Sequence, residues 1–294
     1  MIPTYRTTNP KRVNTQRSAR RRSTAAAILL VVAIAALVLP TIDTGAAFAS
    51  GDRKAGLGSP LKRDPVTAAW QRAQQAGAYH FATTIVETTA PAPSVANVGR
   101  AARRQRIYLE GETDLPQRGM HLVLWQSGGS LMDERDGIEV RIEGDEAYGR
   151  PIGGAWQPVD DFSGAFAPGN DLMAYLAGAR NVRRVEDTGG AEGLSGAYTL
   201  YRFDLNGPEL AGYVRHQLES HLREEGDLPA GVTLDISDQF RDALGGGRVW
   251  IDGDGLPKRL TVEIAYPQQQ SGERVTTEVT TDFSAYDRRA LAAG

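Results

Sequence analysis

From Tyr79 onward the sequence changes from a helical period to a period of two. Tyr79, Phe81, Thr83 and Ile85 alternate with His80, Ala82, Thr84 and Val86, so an extended chain puts the first set on one face and the second on the other. Further strand signals follow at residues 103–113, 120–127, 138–143, 147–150, 155–159, 182–187, 197–205, 248–252, 256–266 and 274–283, separated by Gly and Asp clusters. Short links of this kind join antiparallel neighbours. In the last third Val262 and Ile264 alternate with Glu263, and Val275, Thr277 and Val279 with Thr276 and Glu278, the pattern of a sheet with one buried and one wet face.

Three segments read as helices. Asp64 is a good N-cap, Pro65 suits the first helical position and Gly77 the left-handed stop, which predicts a helix over 65–76 with Val66, Ala69, Trp70 and Ala73 as its apolar stripe. Asn170 caps a predicted short helix, 171–179, with Leu172, Tyr175 and Leu176 on one side. After Gly207-Pro208 a longer helix is expected over 209–224, where Leu210, Val214, Leu218 and Leu222 recur every four residues and Arg215, Glu219 and Arg223 face water. No internal repeat is visible. The fold class is α+β: one long antiparallel sheet with helices on a single face.

The first 49 residues differ in kind. Arg17, Arg20, Arg21 and Arg22 precede residues 25–39, which are only Ala, Ile, Leu and Val. That is a charged region followed by an apolar one too short for a permanent helical span, which needs ~20 residues, and the right length for an export signal. Pro40 ends it, and Ala47-Phe48-Ala49 places small residues where a signal peptidase reads, with Ser50 as the new N-terminus. An extracytoplasmic location follows, in periplasm, envelope or medium; if uncleaved, the segment serves as an N-terminal anchor. Residues 50–63, rich in Gly, Lys, Arg and Ser, read as a flexible linker, 64–287 as one domain and 288–294 as a tail.

Composition narrows the chemistry. The chain has 33 bases and 36 acids, and setting aside the seven bases and one acid of residues 1–49 leaves 26 against 35, an acidic body that repels phosphate backbones and excludes nucleic acid as a partner. The absence of cysteine excludes disulfides, thiolate metal sites, a Cys nucleophile and a lipid-modified Cys.

No catalytic residues and no metal site are expected. His216 and His221 are five apart, off the spacing that converges on zinc; His80 and His121 fall in strands. Asp252-Gly253-Asp254-Gly255 opens like a calcium loop and Glu263 stands at its twelfth position, but a strand over 256–266 carries Glu263 away, so a hairpin turn is the better reading. Asp160-Asp161 and Glu224-Glu225 read as solvated turns. Ser127-Gly128-Gly129-Ser130 reads as a hairpin tip, and Gly245-Gly246-Gly247 precedes a strand instead of opening a helix, as a phosphate cradle would. The chain is read as a non-enzyme without cofactors.

What remains is apolar surface. Ile107, Leu109, Leu122, Leu124, Ile138, Val140, Ile142, Tyr201, Phe203, Val262 and Ile264 fall on one sheet face, with two amphipathic helices available to cover it. Pattern alone leaves a filled core and a ligand cavity both open.

Over residues 70–283 the chain resembles the LolA-like superfamily, particularly its LppX/LprG-type lipoproteins. The likeness rests on the helix with Trp70, the strand from Tyr79, Gly144-Asp145-Glu146-Ala147-Tyr148-Gly149-Arg150 leading to Trp156, Asn170-Asp171-Leu172, Val249-Trp250-Ile251-Asp252 and Gly255-Leu256-Pro257-Lys258-Arg259-Leu260. The resemblance implies a curved antiparallel half-barrel, incompletely closed, with helices across its open side and an apolar cavity for acyl chains between them. It implies Ile107, Leu109, Leu122, Leu124, Ile138, Val140, Ile142, Tyr201, Phe203, Val262 and Ile264 as the wall, and Leu172, Tyr175, Leu176, Val214 and Leu218 as the lid. The expected function is an exported carrier or binding protein for lipids or acylated lipoproteins; the alternative is an envelope sensor or scaffold with a filled core. Expected partners are a lipid or acylated protein, with a membrane surface or a membrane protein besides, and a monomer is expected. The family's lipidated cysteine is missing.

Overall fold

The computed structural model describes residues 64–127, 137–144, 146–159, 167, 171–186, 193, 194, 196–229, 231–235, 238–268 and 272–287, all within the unit Thr44–Gly294. The signal segment, the linker, the C-terminal tail, Asp160-Asp161, Asn170 and the tip Gly128-Gly129-Ser130 lie outside the described residues.

Eleven strands form one antiparallel sheet: β1 (Ala78–Ala90), β2 (Arg103–Asp114), β3 (Gly119–Ser127), β4 (Ile138–Glu143), β5 (Glu146–Pro151), β6 (Gln157–Val159), β7 (Ala179–Val185), β8 (Tyr198–Asn206), β9 (Leu244–Asp252), β10 (Pro257–Ala265) and β11 (Arg274–Ser284). The order is β6-β5-β4-β3-β2-β1-β11-β10-β9-β8-β7, so the sheet is unclosed. It is two meanders, β1–β6 and β7–β11, sewn together where β1 pairs with β11, Ile85 opposite Val279. This architecture is consistent with a curved α+β half-barrel.

Among the described residues the α-helices are α1 (Pro65–Ala76), α2 (Gly207–Glu225) and the single turn α3 (Asp238–Arg241). α1 starts as its sequence dictates: Asp64 Oδ1 accepts from Val66 N at 2.8 Å, and Gly77 ends the helix at φ 78°. Asn206 caps α2 through Glu209 N, and Gly226 closes it in the left-handed conformation.

Three expectations need correction. The segment after Asn170 is not an α-helix; it makes a 3-10 turn over Ala174–Gly178, and Asp171 stands before that turn, its buried carboxylate accepting from Met173 N, Trp70 and Tyr79. Gly245, Gly246 and Gly247 lie inside β9. There a Cβ on Gly245 would stand 2.0 Å from Glu263 O, and one on Gly247 2.4 Å from the Phe203 ring, so strand approach and an overlying ring require glycine. The third correction concerns α2. Leu218 is 47% exposed, whereas Glu219, expected to face water, is buried. At 100° per residue Glu219 stands half a turn from Leu210, and that side of α2 is covered by residues 232–234.

Candidate functional site

Cross-strand register turns scattered apolar residues into continuous rows. One row runs Ile138, Leu124, Leu109, Thr83, Thr281, Leu260, Val249 and Tyr201 across eight strands. The next runs Ile107, Ile85, Val279, Val262, Gly247 and Phe203. Leu122 pairs with Val140, Met120 with Ile142, and Ile264 with Gly245 on the same face. Side chains two apart share a face, so these rows form one wall. Ile107, Leu109, Leu122, Leu124, Ile138, Val140, Ile142, Phe203, Val262 and Ile264 are all buried. The wall is not wholly apolar: Thr83 and Thr281 face each other at its centre, hydroxyl to hydroxyl at 3.0 Å, each satisfying the other out of water.

α2 crosses this wall as a strap. At its start Arg180 of β7 donates to Glu209 at 2.9 Å, and at its end Arg118 of the β2–β3 turn pairs with Glu224 and His221. From β8 to β2 there are five strand spacings, ~24 Å if flat, and 19 residues of helix span ~28 Å, so one helix bridges the middle of the sheet. Leu210 and Ala211 are buried, Val214 is half-buried, and Leu218 looks outward. Leu172, Tyr175 and Leu176 are buried in the link from β6 to β7.

The two ends of the wall differ. At one end α1, β1, α2 and the β6–β7 link meet at the carboxylate of Asp171, which accepts from Trp70 Nε1 at 2.7 Å, Tyr79 Oη at 2.9 Å and Met173 N at 2.9 Å. Tyr213 of α2 packs edge-on against Trp70 at 5.4 Å between ring centroids, and Phe283 packs edge-on against Tyr79. Burial pushes the Asp171 carboxyl above its ordinary value, against the hydrogen bonds from Trp70, Met173 and Tyr79, and burial beside Asp171 pushes the Tyr79 hydroxyl well up. At the other end stand Glu87, Tyr266 and Thr277. Burial raises the Glu87 carboxyl despite Arg103 nearby, and burial with Glu87 pushes Tyr266 up to about 12. Sequence reasoning missed both polar groups, because the donors to Asp171, Trp70 and Tyr79, stand 101 and 92 residues away in the chain and nothing local marks Asp171 or Glu87 as buried.

Tyr201 differs from the rest of the expected wall. It is half-buried and lines a cleft of about 460 Å³ beside α1 with Gln71, Arg72, Gln75, Thr199 and Asp252. That cleft is polar and adjoins the Tyr201 end of the eight-strand row, where the apolar wall gives out. Asp252 spends one oxygen on its own turn, accepting from Asp254 N and Leu256 N, the hairpin the sequence predicts. Glu263 points outward on β10. His80 lies 3.2 Å from Glu112, exposed. Among the described residues no three His, Asp or Glu side chains converge as a metal site requires. Among the described residues no helix is long and apolar enough to cross a membrane.

No protein-family model matches the chain, and no curated protein matches it. Among solved structures, a DUF1329 family protein from Desulfovibrio piger is 11% identical, with 76% of this chain and 94% of that one covered at a TM-score of 0.24. A bifunctional dehydratase-cyclase domain in ambruticin biosynthesis is 16% identical, with 77% and 85% covered at a TM-score of 0.12. Scores this low carry no functional argument.

Proposed function

We propose that the protein is an exported, non-enzymatic binding protein of LolA/LppX type that holds acyl chains of lipids or acylated lipoproteins between the sheet and the α2 strap. The supporting observation is the wall itself: apolar rows six and eight strands long, facing one helix that spans them and is pinned at its ends by side-chain ion pairs. Exposed pairs of that kind contribute ~1 kcal/mol or less each, so such a strap can lift without unfolding the sheet. Each CH₂ moved from water to an apolar site gains ~0.8 kcal/mol, enough for an acyl chain to hold the strap's place with no reactive group.

Native mass spectrometry of protein purified from an exporting host tests the reading. Bound lipid, released on denaturation and replaced by a fluorescent fatty acid, is the expected result. Protein that is repeatedly ligand-free and takes up no acyl probe sinks it and leaves a filled core serving as a sensor or scaffold.

A further inference from the structure

The β1–β2 hairpin ends in a turn that contradicts the rest of the surface. Val95 is 92% exposed and Val98 81% exposed, the two most solvent-facing large apolar side chains among the described residues. The turn is built to hold them there. Asn97 Nδ2 donates to Ala92 O at 2.9 Å, Asn97 N to Ser94 O, and Arg100 N to Asn97 O. A hairpin tip stabilised in this way while presenting two valines to water has no folding rationale.

Charge supplies the occupant. Between Glu87 and Glu110 the chain carries Arg100, Arg103, Arg104 and Arg106 and no acid, although the body as a whole is acidic. Arg100, Arg103 and Arg104 are exposed directly behind the valines, and exposed Arg274 of β11 pairs with Ala90 at the base of the turn. Arg104, Arg106 and Tyr108 then share one face of β2; Arg106 donates to the Tyr108 hydroxyl, and Trp125 stacks on Tyr108 at 5.9 Å. Both rings are half-exposed. The acids facing this stripe are Glu273 beside the turn, Glu87 with Arg103, and Glu110 and Glu278, where it ends. Apolar tip, guanidinium collar and amphipathic rings behind it are the ordered chemistry of a bilayer interface with anionic headgroups.

We propose that this hairpin is a docking surface for an anionic phospholipid bilayer, with Val95 and Val98 entering the headgroup layer and the arginines holding its phosphates. It adds to the acyl-chain reading a means of reaching the lipid, since the hairpin lies at the Glu87 and Tyr266 end of the wall. An acidic protein partner would use the arginines but leave the valines wet.

The test uses the full chain, which contains no cysteine, so that Val98→Cys carries a single environment-sensitive dye. Gln117→Cys, exposed in the β2–β3 turn at the opposite end of the strands, is the reference position. Adding phosphatidylglycerol-containing vesicles should blue-shift and brighten the dye at Val98 several-fold and leave the dye at Gln117 unchanged, however the rest of the chain is held. Pure phosphatidylcholine should give little response. Arg103→Ala with Arg104→Ala should weaken the response about thirtyfold in the vesicle concentration needed. No response at Val98, an equal one at Gln117, or equal responses to neutral and anionic vesicles overturns the proposal. Acyl-probe uptake is measured separately, so a protein that takes up probe without a Val98 response loses the docking surface and keeps the binding site.

Discussion

α1 and α2 both lie on the inner face of the sheet, yet they are held in different ways. α1 is fixed by buried groups: Val66, Ala69 and Ala73 against the core, and the Trp70 indole on Asp171. α2 shares in that packing only near its start, through Leu210, Ala211 and the contact of Tyr213 with Trp70. Farther along, its attachments are ionic. Glu219 accepts from Leu234 N at 2.8 Å and from Arg223, and Glu224 reaches Arg118. One helix is part of the core and the other is laid across it, so the difference locates where the molecule can open.

The largest effect expected from breaking this contrast is at Asp171. Asp171→Ala removes the acceptor of two buried side-chain donors and of Met173 N, costing on the order of 3–5 kcal/mol. Chemical denaturation should show a loss of that size; a change below about 1 kcal/mol would mean the donors find other partners.

Acid should separate the two helices next. For Glu219 burial works to raise the carboxyl, but the Leu234 hydrogen bond with Arg223 and Arg215 outweighs it and holds the group below its ordinary value of 4.5. Its stabilising share is therefore present above about pH 4.5 and fades as pH falls through the lower folded value. Asp171 runs the other way: its raised carboxyl binds a proton more tightly folded than unfolded, so its stabilising share is full below 3.8 and diminishes as pH rises through the folded value. Hydrogen exchange, corrected for intrinsic rates, should then show the Leu234 amide losing protection as pH falls below about 4.5 while the Met173 amide keeps its own. Parallel loss at both sites would refute the contrast.

The smallest effect is at Leu218, nearly half exposed on the outer side of α2. Leu218→Asp should change stability by no more than about 0.5 kcal/mol and leave acyl uptake intact, as thermal melts and probe titration would show.

The same two helices show how much was legible in the sequence. α1 announces itself because Asp64, Pro65 and Gly77 mark its ends and its stripe follows a 3.6 period against a single partner surface. The strands were legible for a similar reason, since alternation is enforced wherever one face is buried. The leucines of α2 repeat every fourth residue, which drifts 40° per step from a straight stripe, and burial of Glu219 depends on a returning segment that no local pattern encodes. The wall residues could be named from alternation, but their alignment into rows could not, because Ile85 meets Val279 across nearly the whole domain.

That last pairing also sets an order of events. Every other strand pair joins neighbours in the chain and can zip as it is made, but β1 has β2 alone for company until residues 274–284 exist. Until then the Thr-, Val- and Ile-rich edge of β1 stands open in the middle of the future sheet, as does the edge of β10. Closure of so distant a seam is slow in chain-entropy terms, so an incomplete chain carries two sticky central edges and the completed one carries none there.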